Sequence, residues 1–156
     1  MFNLHMDHIG RVARREGAKL LIAKVKEMCG EEPYLLTGDF NVDQHDEIYG
    51  MLTAPEAFAD ALAKARRRYV DNGTTNAFSV DRYSDSRIDH IFVSGRFSVH
   101  KYGVLPLAYW VATDRSDKPH EARMLSDHVD CARTGKLGVV ERGRTLWTRC
   151  GLRGRA

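Results

Sequence analysis

The opening residues alternate, with Phe2, Leu4 and Met6 apolar and Asn3, His5 and Asp7 polar between them, which predicts a strand with one polar face. After Gly10 the period lengthens: Ala18, Leu21, Val25 and Met28 fall on one face of a predicted helix that Gly30 stops. A compact apolar run, PYLLTGDFNV, then predicts a buried strand that delivers polar residues at its C-terminal end. Helical patterns follow at Asp46 to Leu52 and at Pro55 to Arg68, and after them a Gly/Asn/Thr-rich loop, DNGTTNAF. Two further strand patterns, SRIDHIFVS and FSVHKYGVLPLAYW, are expected to form a hairpin through Gly95. Strand, helix, strand, helix and hairpin in that order predict a mixed α/β sheet layered with helices.

Composition agrees with a folded domain: 156 residues, 43% hydrophobic and 29% charged, exclude disorder and collagen. No run approaches the ~20 apolar residues of a bilayer span, and MFNLHMDHIG lacks the basic and then apolar layout of a signal peptide. Cys29, Cys131 and Cys150 form no close pair, so neither a disulfide framework nor a Cys-type zinc site is indicated. Residues 132–156 hold seven Lys or Arg against the single acid Glu141, whereas the remaining chain is net acidic. The basic excess is therefore a property of the tail and gives the main domain no nucleic-acid footprint.

The chemistry sits where the strands end. In an extended TGDFN, Asp39 and Asn41 would share a face, and a carboxylate beside a carboxamide can hold a hard cation or position a water near a phosphate oxygen. The same residues read equally as a turn. In RIDH, Asp89 lies beside His90 between Ile88 and Ile91; a buried carboxylate needs a partner, and either an imidazole or Arg87 would serve. Ser126-Asp127-His128 alone reads as a solvated loop, and His5 alone as an ordinary strand histidine.

Together the four stretches mean more. Asn3-x-His5, Gly38-Asp39-Phe40-Asn41, Arg87-Ile88-Asp89-His90 and Ser126-Asp127-His128, in that order over residues 2–128, resemble the endonuclease/exonuclease/phosphatase superfamily, the DNase I-like phosphodiesterases. GTTNAF before RIDH is similar to the compact bacterial branch. The resemblance implies a four-layer α/β sandwich and hydrolysis of a phosphate ester by a water attacking in line, with Mg²⁺ or Mn²⁺ as cofactor. It implies that Asp39 orients or deprotonates the water and helps hold the metal, and that Asn41 binds the phosphate. By the same resemblance His128 stabilises the developing charge with Asp89 holding its ring, His5 is a second phosphate-facing histidine, and Asp127 is a metal-side carboxylate. Asn3 and Asn76 are expected to bind substrate, which the family leaves open among nucleic acid, lipid headgroups and small phosphodiesters.

Two departures shape the expectation. Family members carry about half a domain before the strand that opens this chain, including an Asn and the Glu that is the principal metal ligand. After Ser-Asp-His they continue with an apolar strand, where this chain has VDCARTGKLGVVERGRTLWTRCGLRGRA. Residues 1–130 are thus expected to be a partial domain, with its N-terminal part and final strand missing, and 131–156 a basic Gly/Arg-rich tail. A fragment without turnover is accordingly an alternative to an active enzyme. NLHMDH also falls one residue short of the His-x-His-x-Asp-His zinc motif of metallo-β-lactamase-like hydrolases, a remote alternative that leaves GDFN and RIDH unexplained.

Overall fold

The computed structural model describes residues 1–69, 72–105 and 108–128, together with the strand backbone of 137–141 and 144–148. Its centre is a four-stranded sheet in the order β1 (Phe2–His5), β2 (Leu35–Asp39), β5 (Asp89–Val93) and β3 (Ala59–Asp60). β1 runs parallel to β2, and β5 runs antiparallel to both β2 and β3.

The register sorts the side chains into two faces. Phe2, Leu36 and Phe92 occupy one row, and with Ala18, Val25, Ile48 and Leu52 they build the first core under α1 (Arg11–Cys29) and α2 (Glu47–Leu52). Leu35, Ile91 and Val93 face the other way into a second core with Ala61, Val99, Tyr102 and Val104. That core is closed by α3 (Ala61–Lys64) and by β7 (Lys101–Gly103), which pairs in parallel with β4 (Arg67–Tyr69). Leu36, Phe92, Val93, Ile48 and Leu52 are all fully buried, each contributing about 1.5–3 kcal/mol of hydrophobic stabilisation. Among the described residues no helix is long and apolar enough to cross a membrane.

Local chemistry explains the elements that match expectation. Asp46 caps α2 by accepting from Ile48 N at 2.8 Å, and Gly30 ends α1 at a φ of 52°. The buried stripe of α1 runs through Ala18 and Val25 to Cys29; Met28, expected on that face, is exposed.

Two expected elements differ. The helix expected over 55–68 is reduced to the single turn of α3, because Arg66 N and Arg67 N are bonded to Val99 O and His100 O, which draws the chain into β4. The hairpin through Gly95 does not form, since β5 already has β2 and β3 on its two edges. The segment after Gly95 instead divides into β6 (Phe97–Ser98), β7 and β8 (Ala108–Ala112), of which β8 pairs with β9 (His120–Met124). Within the tail, β10 (Leu137–Glu141) pairs antiparallel with β6 and with β11 (Arg144–Thr148); the remaining residues expected to form the tail lie outside the described ones.

Candidate active site

The sheet register aligns three chemically active residues in one row across three strands: His5 opposite Asp39, and Asp39 opposite Asp89. They stand on the face of the second core, at the C-terminal ends of β1 and β2 and at the start of β5. Gly38 allows this closeness. A Cβ there would sit 1.9 Å from Leu4 O, and its φ of 150° is one that other residues rarely adopt.

His128 closes the site from a separate segment, positioned by a bridge between its backbone and Thr75 and by the bond from Asn76 N to Asp127 O at 2.9 Å. His128 Nδ1 lies 2.9 Å from Asp89 Oδ2, and its Nε2 lies 3.8 Å from Asp39 Oδ2. His5 Nε2 approaches the same Asp39 oxygen at 3.2 Å, so two imidazoles converge on one carboxylate. Partial burial alone would lower the His128 pKa, but the Asp89 hydrogen bond and the negative charges of Asp89, Asp39 and Asp127 outweigh it and raise the ring above its usual value. Burial raises the Asp89 carboxyl, against opposing hydrogen bonds from Thr74 and His128.

Asn41 joins Asp39 through a turn. With φ at 51° it leaves the strand, donates its backbone N–H to Asp39 Oδ1 at 2.8 Å, and spends one N–H of its carboxamide on Met6 O at 2.8 Å. This ties the end of β1 to Asp39; the second N–H of the amide remains for another acceptor. Asn3 is bonded to Thr37 at 2.9 Å, one row inward from His5 and Asp39. Asp127 is exposed, its carboxylate 3.4 Å from Ser126 Oγ. Asn76 is buried, with Oδ1 taking the Phe78 N–H and Nδ2 without a partner among the described residues.

His90, adjacent to Asp89 in the chain, is not its partner. Strand alternation sends its ring into the first core between Phe40 and Phe92, where Nε2 donates to Val42 O at 2.8 Å. Burial pushes its pKa down to about 4, against the Val42 hydrogen bond that favours the charged form, so the ring is neutral. Arg87 does not pair with Asp89 either; it reaches Asp60 at 2.8 Å in a buried ion pair, and Tyr49 OH donates to the same carboxylate at 2.6 Å. Sequence reasoning missed Thr74, whose Oγ1 accepts from Ile88 N and Asp89 N, both at 3.0 Å. Its one signal was the Gly-Thr pair at the start of the polar loop.

Among the described residues, Asp39, Asp89 and His128 form the group whose donor atoms lie within 4.8 Å of one another. Asp127 is outside that group, as are Asp7 and His8 of the NLHMDH stretch; Asp7 caps the turn at Ile9 and Gly10. Two carboxylates in the group suit a hard divalent cation such as Mg²⁺ or Mn²⁺, which binds proteins through one or two carboxylates and keeps its other positions for water and phosphate.

The comparisons with known proteins point the same way. No curated protein matches the sequence. The model of the Endonuclease/Exonuclease/phosphatase family matches residues 3–128, the span that holds all four site segments. An endonuclease/exonuclease/phosphatase family protein from Bacteroides thetaiotaomicron is similar at 46% identity and a TM-score of 0.75, over 82% of this chain and 47% of that one. A mannosyl-6-phosphatase of the same organism is similar at 45% identity and a TM-score of 0.76, over 82% and 48%. An endonuclease/exonuclease/phosphatase from Bacteroides vulgatus follows at 30% identity and a TM-score of 0.60, over 82% and 48%. The chain thus spans about half the length of these solved structures. With a family match running from Asn3 to His128 over a DNase I-like mixed α/β fold, this chain belongs to the endonuclease/exonuclease/phosphatase family.

Proposed function

We propose that the row His5, Asp39 and Asp89, closed by His128, is a phosphate-ester hydrolysing centre, and that its substrate is a phosphate monoester of a hexose. The observation that carries the reading is the convergence of His5 Nε2 and His128 Nε2 on Asp39 Oδ2, with His128 held at Nδ1 by Asp89. Phosphoryl transfer calls for positioned donors and positive charge more than for covalent chemistry. Asp39 Oδ2 accepts the proton of the attacking water. In its protonated form, which the hydrogen bond and charge of Asp89 favour, the His128 ring would donate from Nε2 to a phosphate oxygen, with His5 facing the phosphate from the other side. The second N–H of the Asn41 amide and Nδ2 of Asn76, which has no partner among the described residues, add donors for the phosphate, Asn3 extends the polar face, and Asp127 supports the rim. Mg²⁺ or Mn²⁺ held by Asp39 and Asp89, with Asp127 nearby, would neutralise phosphate charge and acidify water.

The hexose substrate is supported by the mannosyl-6-phosphatase at 45% identity. A second reading rests on the chain spanning about half of that structure: one part of a phosphoesterase that turns over only with the rest of the domain, residues 1–130 being its folded portion. Hydrolysis of p-nitrophenyl phosphate and bis-p-nitrophenyl phosphate with added Mg²⁺ or Mn²⁺ separates the two. Metal-dependent turnover lost in Asp39→Asn and His128→Gln supports the centre; no turnover by folded protein leaves the second reading.

A further inference from the structure

The loop between β4 and β5 carries apolar side chains into solvent from a root built into the site. Gly73 N bonds to Ser84 O and Thr74 N to Ser86 O, so residues 75–83 form a closed Ω-type loop on a narrow neck. The neck has no space to spare, since a Cβ on Gly73 would lie 2.2 Å from Ser86 O. One limb is fixed to the site by Thr74 Oγ1 at the Asp89 backbone and by the Thr75 bridge to His128. The other is fixed to the segment after Asn41, where Gln44 Nε2 donates to Asp85 O at 2.7 Å and Gln44 Oε1 accepts from Arg87 N at 3.1 Å.

Ala77 and Phe78 are consecutive left-handed residues, with φ of 51° and 61°, held by Phe78 N on Asn76 Oδ1 at 2.7 Å. A bulky non-glycine residue is strained there and persists only where its surroundings enforce it. The result is a Phe78 side chain 62% exposed, three residues from the Thr75–His128 bridge, with Val80 and Tyr83 exposed further along. Trp110 and Tyr109 are also exposed, on the β8–β9 hairpin, which leads into His128 through the chain after Met124, whereas loop 75–83 is bonded to the segments of both Asp89 and His128.

From this geometry we infer that loop 75–83 is the specificity element of the site and that Phe78 is the platform on which the pyranose ring of the substrate rests. The inference builds on the hexose-phosphate reading above. An aromatic face is electron-rich and meets the C–H face of a sugar favourably, while the sugar hydroxyls stay solvated. Rooting the platform in the segments that hold Asp89 and His128 fixes the distance from ring to phosphate, which is how a rigid loop reads the organic part of an ester.

Titration calorimetry in Mg²⁺ buffer with the non-hydrolysable phosphonate analogue of mannose 6-phosphate, standing for the sugar phosphate, and with inorganic phosphate tests this without turnover. The wild type is expected to bind the sugar phosphate at least tenfold more tightly than phosphate; Phe78→Ala should abolish that preference and Phe78→Trp should restore it. Equal weakening of both ligands in Phe78→Ala, or binding of phosphate without any preference for the sugar phosphate, overturns the platform and leaves the hydrolytic centre standing. Binding of neither ligand overturns both.

Discussion

His128 Nδ1 sits 2.9 Å from Asp89 Oδ2 across 39 residues of sequence, and this bond fixes which ring nitrogen faces Asp39. Removing the carboxylate charge weakens the largest influences that raise the imidazole, the hydrogen bond and charge of Asp89, and leaves Asp39 and Asp127 alone against the lowering effect of burial. In Asp89→Asn the His128 pKa should fall, as followed by NMR of the ring carbons across the titration. Any hydrolytic kcat should fall by roughly 10²-fold or more, as when an oriented histidine loses its carboxylate. An unchanged titration would remove Asp89 from this role.

His90 gives the protein an acid limit. Its folded pKa, pushed down to about 4, lies below the usual histidine value of 6.5, so the unfolded chain binds more protons between those two pH values. Stability therefore falls as pH drops through that window, by a few kcal/mol in total at about 1.4 kcal/mol per pH unit for one group. Urea midpoints at pH 7 and pH 4.5 should differ accordingly. In His90→Phe, whose ring suits the surrounding aromatics, the difference should shrink.

Gly38 and Gly17 are opposite cases. A Cβ at Gly38 meets Leu4 O, whereas one at Gly17, within α1, meets nothing within 4 Å. Gly38→Ala should destabilise by roughly 3 kcal/mol or more, through strain and the loss of the β1–β2 approach. Gly17→Ala should stabilise by roughly 0.5–1 kcal/mol. Thermal melts of the two variants check both signs.

Thr74 is tested by Thr74→Val, which keeps the shape and deletes the acceptor shared by Ile88 N and Asp89 N. Leaving buried N–H groups unpaired costs roughly 1–3 kcal/mol. Urea unfolding should report that loss, and any activity should drop with it because the backbone of Asp89 is no longer held.

The local pattern revealed the strands and their polar ends, so the positions of His5, Asp39 and Asp89 along the chain were readable. Their alignment was not, because a row across β1, β2 and β5 is set by long-range register. For Asp39 and Asn41 a shared strand face and a turn were equally open; they meet through a left-handed turn. Adjacency offered His90 to Asp89 and the family resemblance offered His128; alternation along the strand turns His90 away, and the fold brings His128 from 39 residues away. The Arg87–Asp60 pair and the role of Thr74 carry no local signature, since each depends on a partner from another element.

The central claim is that Asp39, His5, His128 and Asp89 form a phosphoester-hydrolysing centre. It is tested most directly by release of inorganic phosphate from mannose 6-phosphate by the purified chain, in Mg²⁺ and in chelator, beside Asp39→Asn. Release that requires the metal and falls by at least about 10²-fold in Asp39→Asn is the predicted result. Equal release by wild type and variant, or release indifferent to the chelator, would contradict it.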